Sequence, residues 1–147
     1  AVSDSSILGL SDADPYLARS NKFESQSKLP QAIDEAIAGI ARYPKREDLW
    51  QQYFSLQIEQ AKRNLGQNAE QLTALLEETA NINKLGLLPD FEATLNSAVI
   101  LELLKQPEKA KNKFQEAFGK AKTPQQRISA MSAASRLRVV LAKNNPN

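Results

Sequence analysis

Six of the seven prolines fall where a helix would open or end, and this punctuation limits the fold more than any other feature of the chain. Proline has a fixed φ and no N–H, so it fits the first turn of a helix and is expelled from the interior. Asp14-Pro15 reads as a start, with aspartate as N-cap and proline first, for a helix running to about Ser25. Pro30 opens a second helix carrying Ala32, Ile33, Ala36, Ile37 and Ile40, which Tyr43-Pro44 ends. A third begins near Arg46 with Glu47 and Asp48 in its first turn, where the helix dipole favours them. It carries Leu49, Trp50, Tyr53, Phe54, Leu56 and Ile58 and stops near Leu65-Gly66.

The same logic continues to the end. Asn68 with Gln71 forms a capping box for a fourth helix with stripe Leu72, Leu75, Leu76, Thr79 and Ile82, closed by Leu85-Gly86. A fifth runs from Asp90 to about Lys105 on Phe91, Leu95, Ala98, Val99 and Leu101 or Glu102. Pro107 opens a sixth, with Ala110, Phe114, Ala117, Phe118 and Ala121 on one face. Thr123, Pro124 and Gln126 start a seventh through Ile128, Met131, Ala134, Leu137 and Leu141. The expectation is an all-α chain: three antiparallel helical hairpins plus a C-terminal capping helix, in one domain over 14–143. A flexible arm is expected over 1–13 and a disordered tail over 144–147.

Composition removes most catalytic chemistry. There is no cysteine and no histidine, so zinc, copper, haem and iron–sulfur centres lose their usual ligands, as do Cys–His and Ser–His–Asp catalysis. The adjacent carboxylates Asp34-Glu35, Glu47-Asp48 and Glu77-Glu78 point about 100° apart on a helix and do not converge on one bond. Asp12-Ala13-Asp14 lacks the glycine and terminal glutamate of a calcium loop, and the five glycines are scattered singly rather than gathered into a phosphate cradle. No catalytic residue, cofactor or metal site is expected, and the chain is not read as an enzyme. No apolar run approaches the roughly 20 residues of a membrane span. The start at Ala1 and the absence of cysteine point towards an exported protein, with a cytoplasmic one as the alternative.

Internal repetition gives the class. Ala32-x3-Ala36-x2-Gly39 in the second helix is matched by Ala110-x3-Phe114-x2-Ala117 in the sixth, and Leu72-x3-Leu76-x2-Thr79 lies between them. Trp50-x2-Tyr53-Phe54 follows the Pro44 that ends the preceding helix. On these residues the chain, over Pro15–Lys143, resembles the tetratricopeptide repeat family, whose 34-residue unit follows W-x2-L-G-x2-Y…A-x3-F…P. "RYPKREDLWQQY" (Arg42–Tyr53) is also similar to the half-a-TPR repeats of RNA-processing scaffolds. Expected first-helix starts at Pro15, Lys45, Pro89 and Pro124 are spaced 30, 44 and 35 residues rather than a steady 34. A generic helical bundle is the alternative architecture. Trp50, Tyr53 and Phe54, at i, i+3 and i+4, are read as the packing seam between repeats; a stacking platform for peptide or RNA is the other reading.

The resemblance implies a non-catalytic protein–protein interaction module, an adaptor or scaffold holding a protein or peptide in a groove lined by the first helix of each hairpin. Gln51, Ser55, Glu59 and Asn96 are the groove residues it implies. The charge distribution marks a second surface. From Ala1 to Leu104 there are nine Lys/Arg against fifteen Asp/Glu, and from Lys105 onward ten against two. Lys105, Lys109, Lys111, Lys113, Lys120, Lys122, Arg136 and Arg138, joined by Arg127, form this basic end, with Lys105, Lys109 and Lys113 expected to stack along the sixth helix. It could meet an acidic protein, anionic lipid or RNA, and binding of nucleic acid or another anionic surface through these basic helices is the alternative function. Nucleic acid is disfavoured as a partner because Phe114 and Phe118 lie on the apolar face, away from base-stacking positions. Association of two copies through an apolar helix face is a third possibility.

Overall fold

The computed structural model describes residues 14–63 and 69–144. The expected arm over 1–13, the caps at Gly66 and Asn68, and residues 145–147 of the expected tail lie outside them; Asn144 is helical. The described residues fold as seven α-helices: α1 (Asp14–Ser25), α2 (Leu29–Arg42), α3 (Glu47–Arg63), α4 (Ala69–Lys84), α5 (Asp90–Leu103), α6 (Pro107–Lys120) and α7 (Pro124–Asn144). No strand occurs among them, and α1 with α2, α4 with α5, α5 with α6 and α6 with α7 pack as neighbours, consistent with an all-α helical-repeat fold. Starts at Asp14, Glu47, Asp90 and Pro124 lie 33, 43 and 34 residues apart. The chain divides into two compact units between Gln60 and Ala61, inside α3.

In the first unit α1 packs on α2, and Leu29, Ala32, Ile33 and Ala36 of α2 form a buried cluster with Leu56 of α3, with Phe23 and Tyr53 against it. Gly39 is needed for a close approach: a Cβ there would stand 2.9 Å from Tyr16 Cβ and 3.0 Å from Leu49 Cδ2. Ile37, expected on the buried stripe, is 47% exposed, because the strip that faces inward advances through 32, 36 and 39. The unit is also tied by polar contacts. The buried Ser20 hydroxyl donates to the Ala32 carbonyl (2.8 Å) and accepts from Gln52 Nε2 (3.1 Å), which also donates to Glu24 Oε1 (3.2 Å). Arg46 bridges Asp48 and Asp14, and its hydrogen bonds hold the Asp48 carboxyl below the usual carboxylate range. Phe54 is fully buried and stacks on Trp50 at 6.1 Å, while Trp50 Nε1 donates to the Pro44 carbonyl (2.9 Å).

In the second unit α4 packs on α5, α5 on α6 and α6 on α7. The central cluster is Ala98, Leu101, Ala110, Phe114 and Leu137; a smaller one joins Phe91, Ala117 and Ala130. Helix α7 opens as expected: Thr123 Oγ1 accepts from Gln126 N (3.1 Å), though the returning Gln126 Oε1 takes the N–H of Lys122 (2.7 Å) rather than that of Thr123. Its inward stripe is displaced from expectation. Ala130 and Leu137 are buried, whereas Ile128 (62%) and Met131 (52%) are exposed, and Phe118 on α6 is also exposed. A solvating cap would present a polar outer face; that of α7 carries Ile128, Met131 and Val139.

Three helices end on the same backbone device. After α4, Gly86 takes φ +77°, Leu87 N donates to the Ile82 carbonyl and Gly86 N to that of Asn83, the paired bonds of a Schellman motif. After α1, Ser27 (φ +59°) sits at the same point, with Lys28 N on Phe23 O and Ser27 N on Glu24 O. After α5 it is Lys105 (φ +64°), with Gln106 N on Leu101 O and Lys105 N on Glu102 O. The residues that follow, Lys28 (φ −102°, ψ 68°) and Gln106 (φ −116°, ψ 69°), also match. Hairpins α1–α2 and α5–α6 thus turn identically, 78 residues apart. In that register Ala32 corresponds to Ala110, Ala36 to Phe114, Gly39 to Ala117 and Ser20 to Ala98, all buried.

Candidate functional site

The second unit holds a cleft of ≈ 820 Å³ between α5 and α7. Two helical stripes form its walls. On α5 they are Leu95, Val99, Glu102 and Leu103, at i, i+4, i+7 and i+8. On α7 they are Ser129, Ala133, Arg136, Leu137, Val140 and Asn144, at i, i+4, i+7, i+8, i+11 and i+15. These are the spacings that keep side chains on one face of a helix. Phe114, from the intervening α6, lies at the floor and is buried together with Leu137. The floor is therefore the outer surface of the unit's main apolar cluster, to which Leu95, Val99 and Ala133 also belong.

Helix α5 makes this possible because it is apolar nearly all round. Phe91, Ala98 and Leu101 are buried, while Leu95, Val99 and Leu103 form a second, half-buried stripe beside them. A helix with apolar residues on every side is usually enclosed; here one side is left open. At the rim Arg136 makes a two-pronged pair with Glu102, including Nη2 to Oε1 at 2.8 Å, linking α7 to α5. That hydrogen bonding holds the Glu102 carboxyl below its ordinary range and raises Arg136; the nearby charges of Lys62 and Lys105 lower Glu102 further. Lys62 and Lys105 both line the cleft, and neither makes an ion pair with another described residue. The rim thus carries three cations around one carboxylate.

None of the four groove residues implied by the resemblance lines this cleft. Gln51, Ser55 and Glu59 lie one turn apart on α3 in the first unit, Ser55 exposed and the other two half-buried. Asn96 is half-buried on α5, next to the wall residue Leu95 but turned about 100° from it. The basic residues separate into groups. Lys105 and Arg136 line the cleft. Lys113 bonds Glu116 (2.8 Å), and Lys120 reaches both Glu116 (3.8 Å) and Thr94 Oγ1 (3.1 Å), so these two share one carboxylate. Glu116 is held low chiefly by its bond from Lys113. Lys109, Lys111, Lys122 and Arg127 form no ion pair with another described residue. Lys105 does not stack with Lys109 and Lys113, because it precedes α6 and occupies the left-handed turn. Arg138 borders a second, smaller hollow of ≈ 190 Å³ with Phe118, Met131 and Ala134.

Lys62, Leu95, Val99, Leu103 and Val140 escaped the sequence reading as site residues. The available signal was the doubled apolar stripe of α5, which one inward face does not account for. Among the described residues no cluster of His, Cys, Asp and Glu could hold a metal ion, and no helix is long and apolar enough to cross a membrane. Comparison of the chain with protein-family models, with curated proteins and with solved structures finds no match in any of the three.

Proposed function

We propose that this chain is a non-catalytic protein–protein interaction module, a helical-repeat scaffold whose α5–α7 cleft holds a segment of a partner protein. The observation that carries the reading is the cleft: an open apolar lining of Leu95, Val99, Phe114, Leu137 and Val140 on the unit's main apolar cluster. Sites of this size, apolar with a few placed polar groups, are where proteins bind ligands. A tetratricopeptide-like architecture fits the intervals of 33 and 34 residues on either side of the longer central one, and fits the recurrence of one turn in two hairpins. Binding of nucleic acid or another anionic surface through the basic helices draws less support, since Lys113, Lys120 and Arg136 are already engaged by carboxylates.

A photo-crosslinking amino acid at position 140, on the cleft wall, tests the reading against one at position 38, on the exposed side of α2. The expected result is a discrete protein adduct in the native host from position 140 alone. Equal labelling from both positions, or none from 140, would remove the cleft as the binding site.

A further inference from the structure

The walls and rim of the cleft specify more than "a protein segment". We infer that its occupant is an acidic amphipathic α-helix, an inference that rests on the cleft being the binding site. Three features of the cleft lead there.

The first is length and periodicity. The α7 wall runs from Ser129 to Asn144, about 22 Å at the helical rise, the span of roughly four helical turns. Both walls place their apolar groups at helical intervals, the arrangement into which a third helix inserts its own i, i+3, i+4 and i+7 residues.

The second is the backbone chemistry. Both walls are helices, whose peptide groups already bond within each helix, so the cleft has no sheet edge to pair with an extended peptide. Its floor is Leu95, Val99, Phe114, Ala133, Leu137 and Val140, with Ser129 and Asn144 towards the ends of the α7 wall and no Asn or Gln at the centre. An extended segment laid there would leave buried backbone groups without partners, at about 1–3 kcal/mol each. A helix satisfies its own.

The third is charge. Arg136 is engaged by Glu102, which leaves Lys62 and Lys105 as uncompensated cations on the rim. Lys105 is fixed there by its place in the left-handed turn after α5. A basic ligand would meet these two lysines and Arg136 with only Glu102 to offset them. Acidic side chains flanking the ligand's apolar stripe would meet two free ammonium groups.

The test uses the full chain and synthetic 16-residue helical peptides, read by fluorescence anisotropy. One peptide carries leucines at helical spacing flanked by glutamates; a second has lysine in place of each glutamate; a third keeps the glutamates but has serine in place of each leucine. The Leu/Glu peptide should bind at least tenfold more tightly than the Leu/Lys peptide, and the ratio should shrink between 50 and 300 mM salt. The Ser/Glu peptide should lose at least tenfold. The double substitution Lys62→Glu with Lys105→Glu, checked for unchanged helicity by circular dichroism, should bring the two leucine peptides to within about threefold of each other. Val140→Asp should weaken both.

Equal binding of the Leu/Glu and Leu/Lys peptides would overturn the acidic preference while leaving the cleft as the binding site. Equal binding of the Ser/Glu and Leu/Glu peptides would overturn the amphipathic helix. Failure of all three peptides would also overturn this inference, while the crosslink from position 140 reports on the cleft independently.

Discussion

Hairpins α1–α2 and α5–α6 share a turn, a register and a buried small-residue pattern, yet they support different surfaces. The 78-residue register pairs Glu24 with Glu102, and each carboxylate accepts from the helix that follows its hairpin: Glu24 from Gln52 on α3, Glu102 from Arg136 on α7. Around that common link the two units diverge. Leu95, Val99 and Leu103 on the cleft wall correspond to Leu17, Asn21 and Ser25, so a mostly polar strip in the first unit is an apolar one in the second. Ser20, bonded to both Ala32 and Gln52, corresponds to Ala98, which bonds through no side chain. Identical backbone geometry therefore leaves the surface chemistry free. A few side chains decide whether the seam beside a hairpin is closed by polar contacts or left as an apolar cleft.

The largest expected effect tests the Ala36/Phe114 difference. Phe114→Ala should lower stability by about 3–5 kcal/mol, measured by urea denaturation, because it empties a buried ring site. A loss below about 1 kcal/mol would mean that the second hairpin can close on an alanine as the first does. Next is the Gly39/Ala117 pair. Gly39→Ala should cost about 1–3 kcal/mol, since Tyr16 Cβ and Leu49 Cδ2 must give way. Ala117→Gly should cost about 1 kcal/mol from helix propensity alone. If Gly39→Ala is neutral, the first hairpin is looser than its geometry implies. The smallest effect concerns the shared turn. Ser27→Gly and Lys105→Gly should each gain about 1 kcal/mol by relieving a left-handed side-chain-bearing residue, seen as a raised melting temperature. A gain at only one of them would show that the two turns, alike in dihedrals, differ in strain.

The helices were legible because proline and capping residues act locally: Thr123, Pro124 and Gln126 open α7 through contacts four residues long or less. The faces were legible where one apolar stripe dominated, as in α4, whose Leu72, Leu75, Thr79 and Ile82 are all buried. Legibility ended where apolar residues surround the helix. In α7, Ile128, Met131, Ala134 and Leu137 make as good a stripe on paper as Ala130 and Leu137, and the packing of α6 chose the small residues. The cleft failed to appear for the same reason, since its walls are defined by which of several apolar faces of α5 and α7 remains uncovered. Lys105 shows a related limit. Helical spacing linked it to Lys109 and Lys113, but the chain reverses between Lys105 and Pro107.

Phe114 and Leu137 belong to the core of the second unit and to the floor of its cleft at the same time. Occupancy and folding are then thermodynamically linked: a ligand that binds only the folded unit at one hundred times its dissociation constant would stabilise it by about 2.7 kcal/mol. A partner would register as a shift in the unit's melting, without any label. Conversely, substitutions that loosen this core would weaken capture even where they never touch the ligand.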